Sequence, residues 1–208
     1  MTQTPRSSLE LWPVGNCQVT GLIDETGGLV WGCVPRVDGD PVFCSLLNGD
    51  TQDQGVWRIE LEDFASASQE YLRNAPILKT RLEAKDGSAV EILDFAPRFR
   101  SSGRMYRPVA FVRIVRPVAG TPRITVNLSP MKNYGEALAE TTNGTNHIRY
   151  LVGQQALRLT TDAPVGYLQE KRTFRVENDL HFFLGPDEPF GGNVGHELET
   201  MLELTDHY

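Results

Sequence analysis

The strongest constraint on the fold is a recurrence of short segments in which apolar and polar residues alternate. In residues 123–129, Ile124, Val126 and Leu128 fall on one side of an extended chain and Thr125 and Asn127 on the other. A period of two marks a half-buried strand. Residues 108–118 carry Val109, Phe111, Ile114 and Val115 in a similar run, and further strand candidates span 17–24, 28–34, 55–62, 71–84, 88–97, 147–161 and 171–185. Between or beside these segments lie Asn48-Gly49, Asp86-Gly87, Ala119-Gly120 and Asn143-Gly144, which are turn chemistry. The clearest hairpin runs from Arg81 to Phe95 around Asp86-Gly87, a pair suited to a two-residue type I′ loop.

Roughly nine to twelve strands with turn signals between them predict an all-β sandwich or barrel. The 19 glycines and 13 prolines fit a chain of many turns. No βαβ spacing, internal repeat or low-complexity linker divides the 208 residues, so one antiparallel β-sandwich domain is expected over residues 1–190. A domain of this size buries roughly 70% of its unfolded surface and needs neither disulfide nor metal to fold.

Residues 191–208 read differently. Leu198, Met201, Leu202, Thr205 and Tyr208 fall on one helical face, and Glu197, Glu199 and Glu203 lie off it. Asn193 is a natural N-cap, and the early glutamates suit the helix dipole. No glycine or proline ends the pattern, so the segment reads as the start of a helix that leads onward. Its apolar face is expected to dock on its own sandwich.

Charge and cysteine usage exclude several classes of function. With 27 acids against 20 bases the net charge is −7, which opposes nucleic-acid binding. No apolar run is long enough for a transmembrane helix and no signal peptide precedes Thr20, so no membrane partner is expected and the cytoplasm is the expected location. Cys17, Cys33 and Cys44 match no zinc spacing and are read as free, buried thiols in a reducing compartment. The sequence has no P-loop, GxGxxG or GxSxG motif, and His147, His181, His196 and His207 lack ligand spacing, so neither cofactor nor metal is expected. Acid pairs such as Asp38 with Asp94 are candidates for glycoside chemistry only if they meet in space.

One stretch stands apart. Gly28 to Val34 reads as a strand that Pro35 ends, because proline donates no ladder hydrogen bond. Pro35, Arg36 and Asp38 then lie in a loop past a strand end, where function concentrates. The structural alternative for Arg36 and Asp38 is a loop-bracing salt bridge.

This stretch resembles the N-terminal domain of bacterial glycoside hydrolase family 15 proteins, the glucoamylase, glucodextranase and trehalase-like enzymes. The resemblance rests on Gly15-Asn16-Cys17, on Gly28 to Asp38, on Phe43, and on Leu46-Leu47-Asn48-Gly49. It continues through Leu93-Asp94-Phe95-Ala96-Pro97, Arg113-Ile114-Val115 with Val118-Ala119-Gly120, Pro130 to Gly135, and Leu202 to Tyr208. It covers residues 9–208. The chain departs from the family pattern at Asn16 for Asp, Val37 for Phe, Gly39-Asp40 for Ser, and Met131-Lys132-Asn133 for Arg-Phe-Asp.

The resemblance implies a super-sandwich fold, a short linker helix, and a following (α/α)6 barrel that holds both catalytic glutamates. On that basis no catalytic residue is expected within the chain. The expected partners are its own C-terminal catalytic domain and an α-glucoside or trehalose substrate, hydrolysed with inversion. Pro35, Arg36 and Asp38 become the candidates for a loop lent to the substrate pocket, since Arg36 can donate to sugar hydroxyls and Asp38 can accept from them. The alternative, from a different class, is a stand-alone carbohydrate-binding module with Trp12, Trp31 or Trp57 stacking on sugar.

Overall fold

A computed structural model describes residues 9–47 and 53–207. The expected Asn48-Gly49 turn and Tyr208 lie outside those residues. Alternation translates into two packed antiparallel sheets, with 49% of residues in strands. The first sheet runs Trp12–Gly15, Thr20–Ile23, Leu29–Cys33, Val56–Leu61, Arg123–Ser129, Phe174–Arg175, with Pro41–Phe43 also paired to Leu29–Cys33. The second runs Glu140–Asn143, His147–Val152, Gln155–Thr161, Leu180–Pro186, Phe111–Ala119, Ala89–Phe95, Leu78–Ala84, Phe64–Tyr71. Two short hairpins, Phe99–Ser101 with Arg104–Tyr106 and Met131–Lys132 with Ala137–Leu138, project from the ends.

Several expected strands divide. Residues 71–84 break at a loop in which Asn74 takes a positive φ of 60° and the Leu72 N–H bonds the Ile77 carbonyl at 2.9 Å. Asparagine tolerates that conformation and Pro76 cannot extend the ladder. Residues 171–185 cross between the sheets, Phe174–Arg175 joining one and Leu180–Pro186 the other. The Asp86-Gly87 hairpin is not type I′. Only Gly87 there has positive φ, at 84°, and the Gly87 N–H bonds the Ala84 carbonyl while the Ala84 N–H bonds the Ser88 carbonyl. That is a three-residue loop with the glycine in the left-handed position. The strand Phe64–Tyr71 carries no apolar alternation because it is a largely exposed edge, paired on one side only among the described residues.

The central strands are not half-buried, as their alternation predicted, but buried on both faces. In Phe111–Ala119, Phe111 and Val115 enter the core between the sheets, and Val112 and Ile114 enter a second apolar cluster on the outer face. Ala89–Phe95 divides in the same way, with Val90 and Ile92 inward and Leu93 and Phe95 outward. What covers the outer face is the C-terminal helix Val194–Asp206, through Val194, Leu198 and Leu202, with Met201 at the margin. The expected docking is therefore observed. Asn193 caps the helix by accepting from the His196 N–H at 3.0 Å.

Between the sheets sits an ion pair that alternation cannot reveal. Arg113 and Asp94 are directly opposed on neighbouring strands, both side chains 2% exposed. The guanidinium donates to the two Asp94 oxygens at 2.6 and 3.1 Å, to the Trp57 carbonyl at 2.6 Å and to the Gly27 carbonyl. It also lies 5.2 Å from the Trp57 ring centroid. Arg113 and Asp94 belong to the second sheet and Trp57 to the first, so one side chain ties the layers together. Burial pushes the Asp94 carboxyl up, and the charge and hydrogen bonds of Arg113 pull it back.

Removing one partner of a buried pair strands the other charge and typically costs about 3–5 kcal/mol. Arg113→Met should show a loss of that size in urea unfolding. Adding Asp94→Leu should recover much of it, because no charge is then stranded.

Candidate functional site

Pro35, Arg36 and Asp38 sit at one end of the sandwich, all exposed. Arg36 and Asp38 form a bidentate pair, Nε to Oδ1 and Nη2 to Oδ2, both 2.8 Å. The salt bridge considered above is thus formed, and hydrogen bonding to Arg36 holds the Asp38 carboxyl below the usual carboxylate range. A turn closes beneath it, from the Gly39 N–H to the Arg36 carbonyl at 3.0 Å. The neighbouring Asp40 reaches across to a second loop, where its carboxylate accepts from the Tyr134 N–H at 2.7 Å. The buried Cys44 and Met131 meet below, their sulfurs 3.8 Å apart. The run through Gly28 to Asp38 and the run through Pro130 to Gly135, far apart in sequence, are thus joined at one end of the molecule. Periodicity carries no signal for that junction, since it depends on loop residues.

Other candidate residues separate. Asp94 is sealed inside with Arg113 while Asp38 is exposed with Arg36, so they form no pair for glycoside chemistry. Trp57 is fully buried and unavailable to sugar; Trp31 is half-buried; Trp12 packs against Tyr71 with centroids 5.4 Å apart. Cys33 and Cys44 are buried as expected, but Cys17 is exposed in a turn at φ 70°, with Arg98 Nη1 3.0 Å from its sulfur. Among the described residues no three His, Cys, Asp or Glu side chains gather as metal ligands would.

Asn16, where the family pattern has aspartate, is 1% exposed and ties three segments together. Its Nδ2 donates to the Pro97 and Pro108 carbonyls at 2.9 and 2.8 Å, and its Oδ1 accepts from the Gln18 and Val19 N–H groups at 3.0 and 3.2 Å. A carboxylate has no donor for those two carbonyls.

A second polar cluster holds the helix to the sheet. His181 Nδ1 lies 2.7 Å from Asp162 and Nε2 3.1 Å from Glu199, while Glu199 also accepts from Arg116 at 2.8 and 2.7 Å. Arg116 pairs in turn with Asp179 at 3.1 Å. Gly195 lets the helix approach, since a β-carbon there would stand 3.2 Å from the imidazole. Glu199 reads in the sequence as lying off the docked face; it is the polar part of the dock. Burial opposes charge on His181, but the hydrogen bonds and charges of Asp162 and Glu199 outweigh it and raise its pKa above 6.5. Burial likewise opposes the Glu199 carboxylate, and Arg116 with His181 overrides it and lowers that pKa.

The fold defines a two-sheet β-domain that carries a docked C-terminal helix. The sequence matches the family described as "Trehalase-like, N-terminal" over residues 6–167, and the chain belongs to that family. It is 27% identical over 194 residues to Trehalase 1 of Sulfolobus acidocaldarius, covering 91% of this chain and 31% of that protein. It is 26% identical over 182 residues to Trehalase of Mycolicibacterium smegmatis, covering 74% of this chain and 26% of the relative. Trehalase 2 of S. acidocaldarius is 26% identical over 132 residues, covering 64% of this chain and 20% of the relative. The chain thus spans less than a third of the length of these relatives. No solved structure matches it.

Two outcomes follow from the polar clusters. A raised histidine pKa contributes stability that is complete below the unfolded value and lost as pH rises through the folded one. Melting temperature should therefore fall as pH climbs above 6.5, and His181→Gln should flatten that decline. Asn16→Asp should lower stability by about 1–3 kcal/mol for the buried carbonyls left unmet, read by urea unfolding.

Proposed function

We propose that the chain serves as the non-catalytic N-terminal domain of a trehalase-like, family 15 glycoside hydrolase in the cytoplasm. In this reading residues 191–208 lead into an (α/α)6 catalytic domain that supplies the glutamates for inverting hydrolysis of trehalose or a related α-glucoside. The sandwich packs on that domain, and Pro35-Arg36-Asp38 is lent to the mouth of the substrate pocket. No cofactor takes part. The observation that carries the reading is the junction of two family-like motifs at one end of the sandwich, fastened from Asp40 to Tyr134. The family match and the greater length of the trehalase relatives support a further domain.

The geometry suits a loop that serves something outside this domain. Arg36 and Asp38 side chains are 75% and 65% exposed, and an ion pair so placed in water adds little to folding. A fixed guanidinium–carboxylate fork presents donors and acceptors together, which is what a sugar hydroxyl needs.

The test is Arg36→Ala in the longer protein that carries this domain. The kcat/KM for the α-glucoside should fall at least about tenfold, with the melting temperature nearly unchanged. A large drop in melting temperature with unchanged kinetics per folded molecule would instead assign Arg36 to loop bracing.

A further inference from the structure

The loop joined to Pro35-Arg36-Asp38 presents an aromatic side chain to solvent from a strained turn. Asn133, Tyr134 and Gly135 take successive positive φ values of 54°, 55° and 87°. Glycine adopts this region freely, whereas a β-carbon there meets the backbone. A non-glycine residue so placed persists only where its surroundings over-determine it. Here they do. The Asp40 carboxylate holds the Tyr134 N–H at 2.7 Å, and the flanking hairpin pairs Met131 with Leu138 and Lys132 with Ala137. The result is a tyrosine that is 72% exposed. Neither the ring nor the Arg36–Asp38 fork adds apolar burial to the core, so stability does not account for them.

We propose that Tyr134 is a sugar-binding residue whose ring stacks on the apolar C–H face of a glucose unit while Arg36 and Asp38 take its hydroxyls. This rests on the reading that the Pro35–Asp38 loop faces an α-glucoside. A pyranose offers an apolar face and a rim of hydroxyls, and its recognition calls for an aromatic face beside fixed donors and acceptors. Arg36 directs two of its N–H groups at Asp38, and a guanidinium has five. The carboxylate likewise has more lone pairs than that contact uses. Asp40 connects the two halves, since it sits two residues after Asp38 and grips the Tyr134 backbone. The Asp40 bond and the turn fix the backbone that carries the ring, so that part of the ordering cost is met in folding.

The experiment uses the 208-residue chain, titrated with trehalose and with maltose while the Tyr134 ring and Arg36 Nε–H resonances are followed by NMR. Both sets of signals should shift saturably, with a dissociation constant on the order of 1 mM. Tyr134→Ala should weaken the response at least tenfold and Tyr134→Phe by less than about twofold, because the ring face and not the hydroxyl makes the contact. Both variants should melt within ~2 °C of the parent, showing that folding is intact. Unmoved Tyr134 and Arg36 signals at ~100 mM sugar overturn the proposal, as does wild-type binding by Tyr134→Ala. Burial of the Tyr134 ring in the longer protein without sugar also overturns it and marks a protein contact instead. The domain reading is judged separately, by the Arg36→Ala kinetics, so the two can fail independently.

Discussion

The two sheets are held in register by a guanidinium that no solvent reaches. Arg113 stands in the middle of the eight-stranded sheet, neutralised by Asp94 across the ladder, and spends its remaining donors on carbonyls of the Gly27 turn and of Trp57 in the opposite layer. Apolar packing alone tolerates sliding between layers, because area burial has no direction. Hydrogen bonds to fixed carbonyls do have direction, and a misplaced layer would leave a buried charge without partners. The loop with Arg36 follows Leu29–Cys33 and the turn with Tyr134 follows Arg123–Ser129, two strands of the layer to which Arg113 is tied.

The molecule divides its surface between two tasks. The outer face of the larger sheet is given to the C-terminal helix, with Leu198 and Leu202 supplying burial and Glu199 supplying the polar grip on His181 and Arg116. One end of the sandwich is given to loops whose conspicuous residues stay in solvent.

Much of the fold was legible in the sequence. The strand Arg123–Ser129 has the bounds that its alternation gives, and the helix face of Leu198 and Leu202 is the buried one. Period-two patterns fail where both faces are covered. Val112 and Ile114 are outward-facing and still buried, which a strand reading cannot distinguish without knowing that a helix lies above. They fail again at Phe64–Tyr71, a largely exposed edge strand whose small and polar residues between Phe64 and Tyr71 form no apolar stripe. At the loop end, the motif residues Pro35, Arg36 and Asp38 were identifiable, and the Arg36–Asp38 pair was foreseeable from their spacing. The bond from Asp40 to Tyr134 spans loops far apart in sequence, and nothing local encodes it. The ion pair of Arg113 with Asp94 is of the same kind, because each residue alone reads as a surface charge.

The central claim is that this domain presents loops to a substrate and performs no chemistry of its own. The most direct measurement is glucose release from trehalose, maltose and soluble starch by the purified 208-residue chain, compared with a longer protein in which the proposed catalytic domain is joined to it. The account predicts glucose from the longer protein and none above background from the chain alone. Steady turnover by the chain itself, lost on replacing one of its own carboxylates such as Asp38, would contradict it.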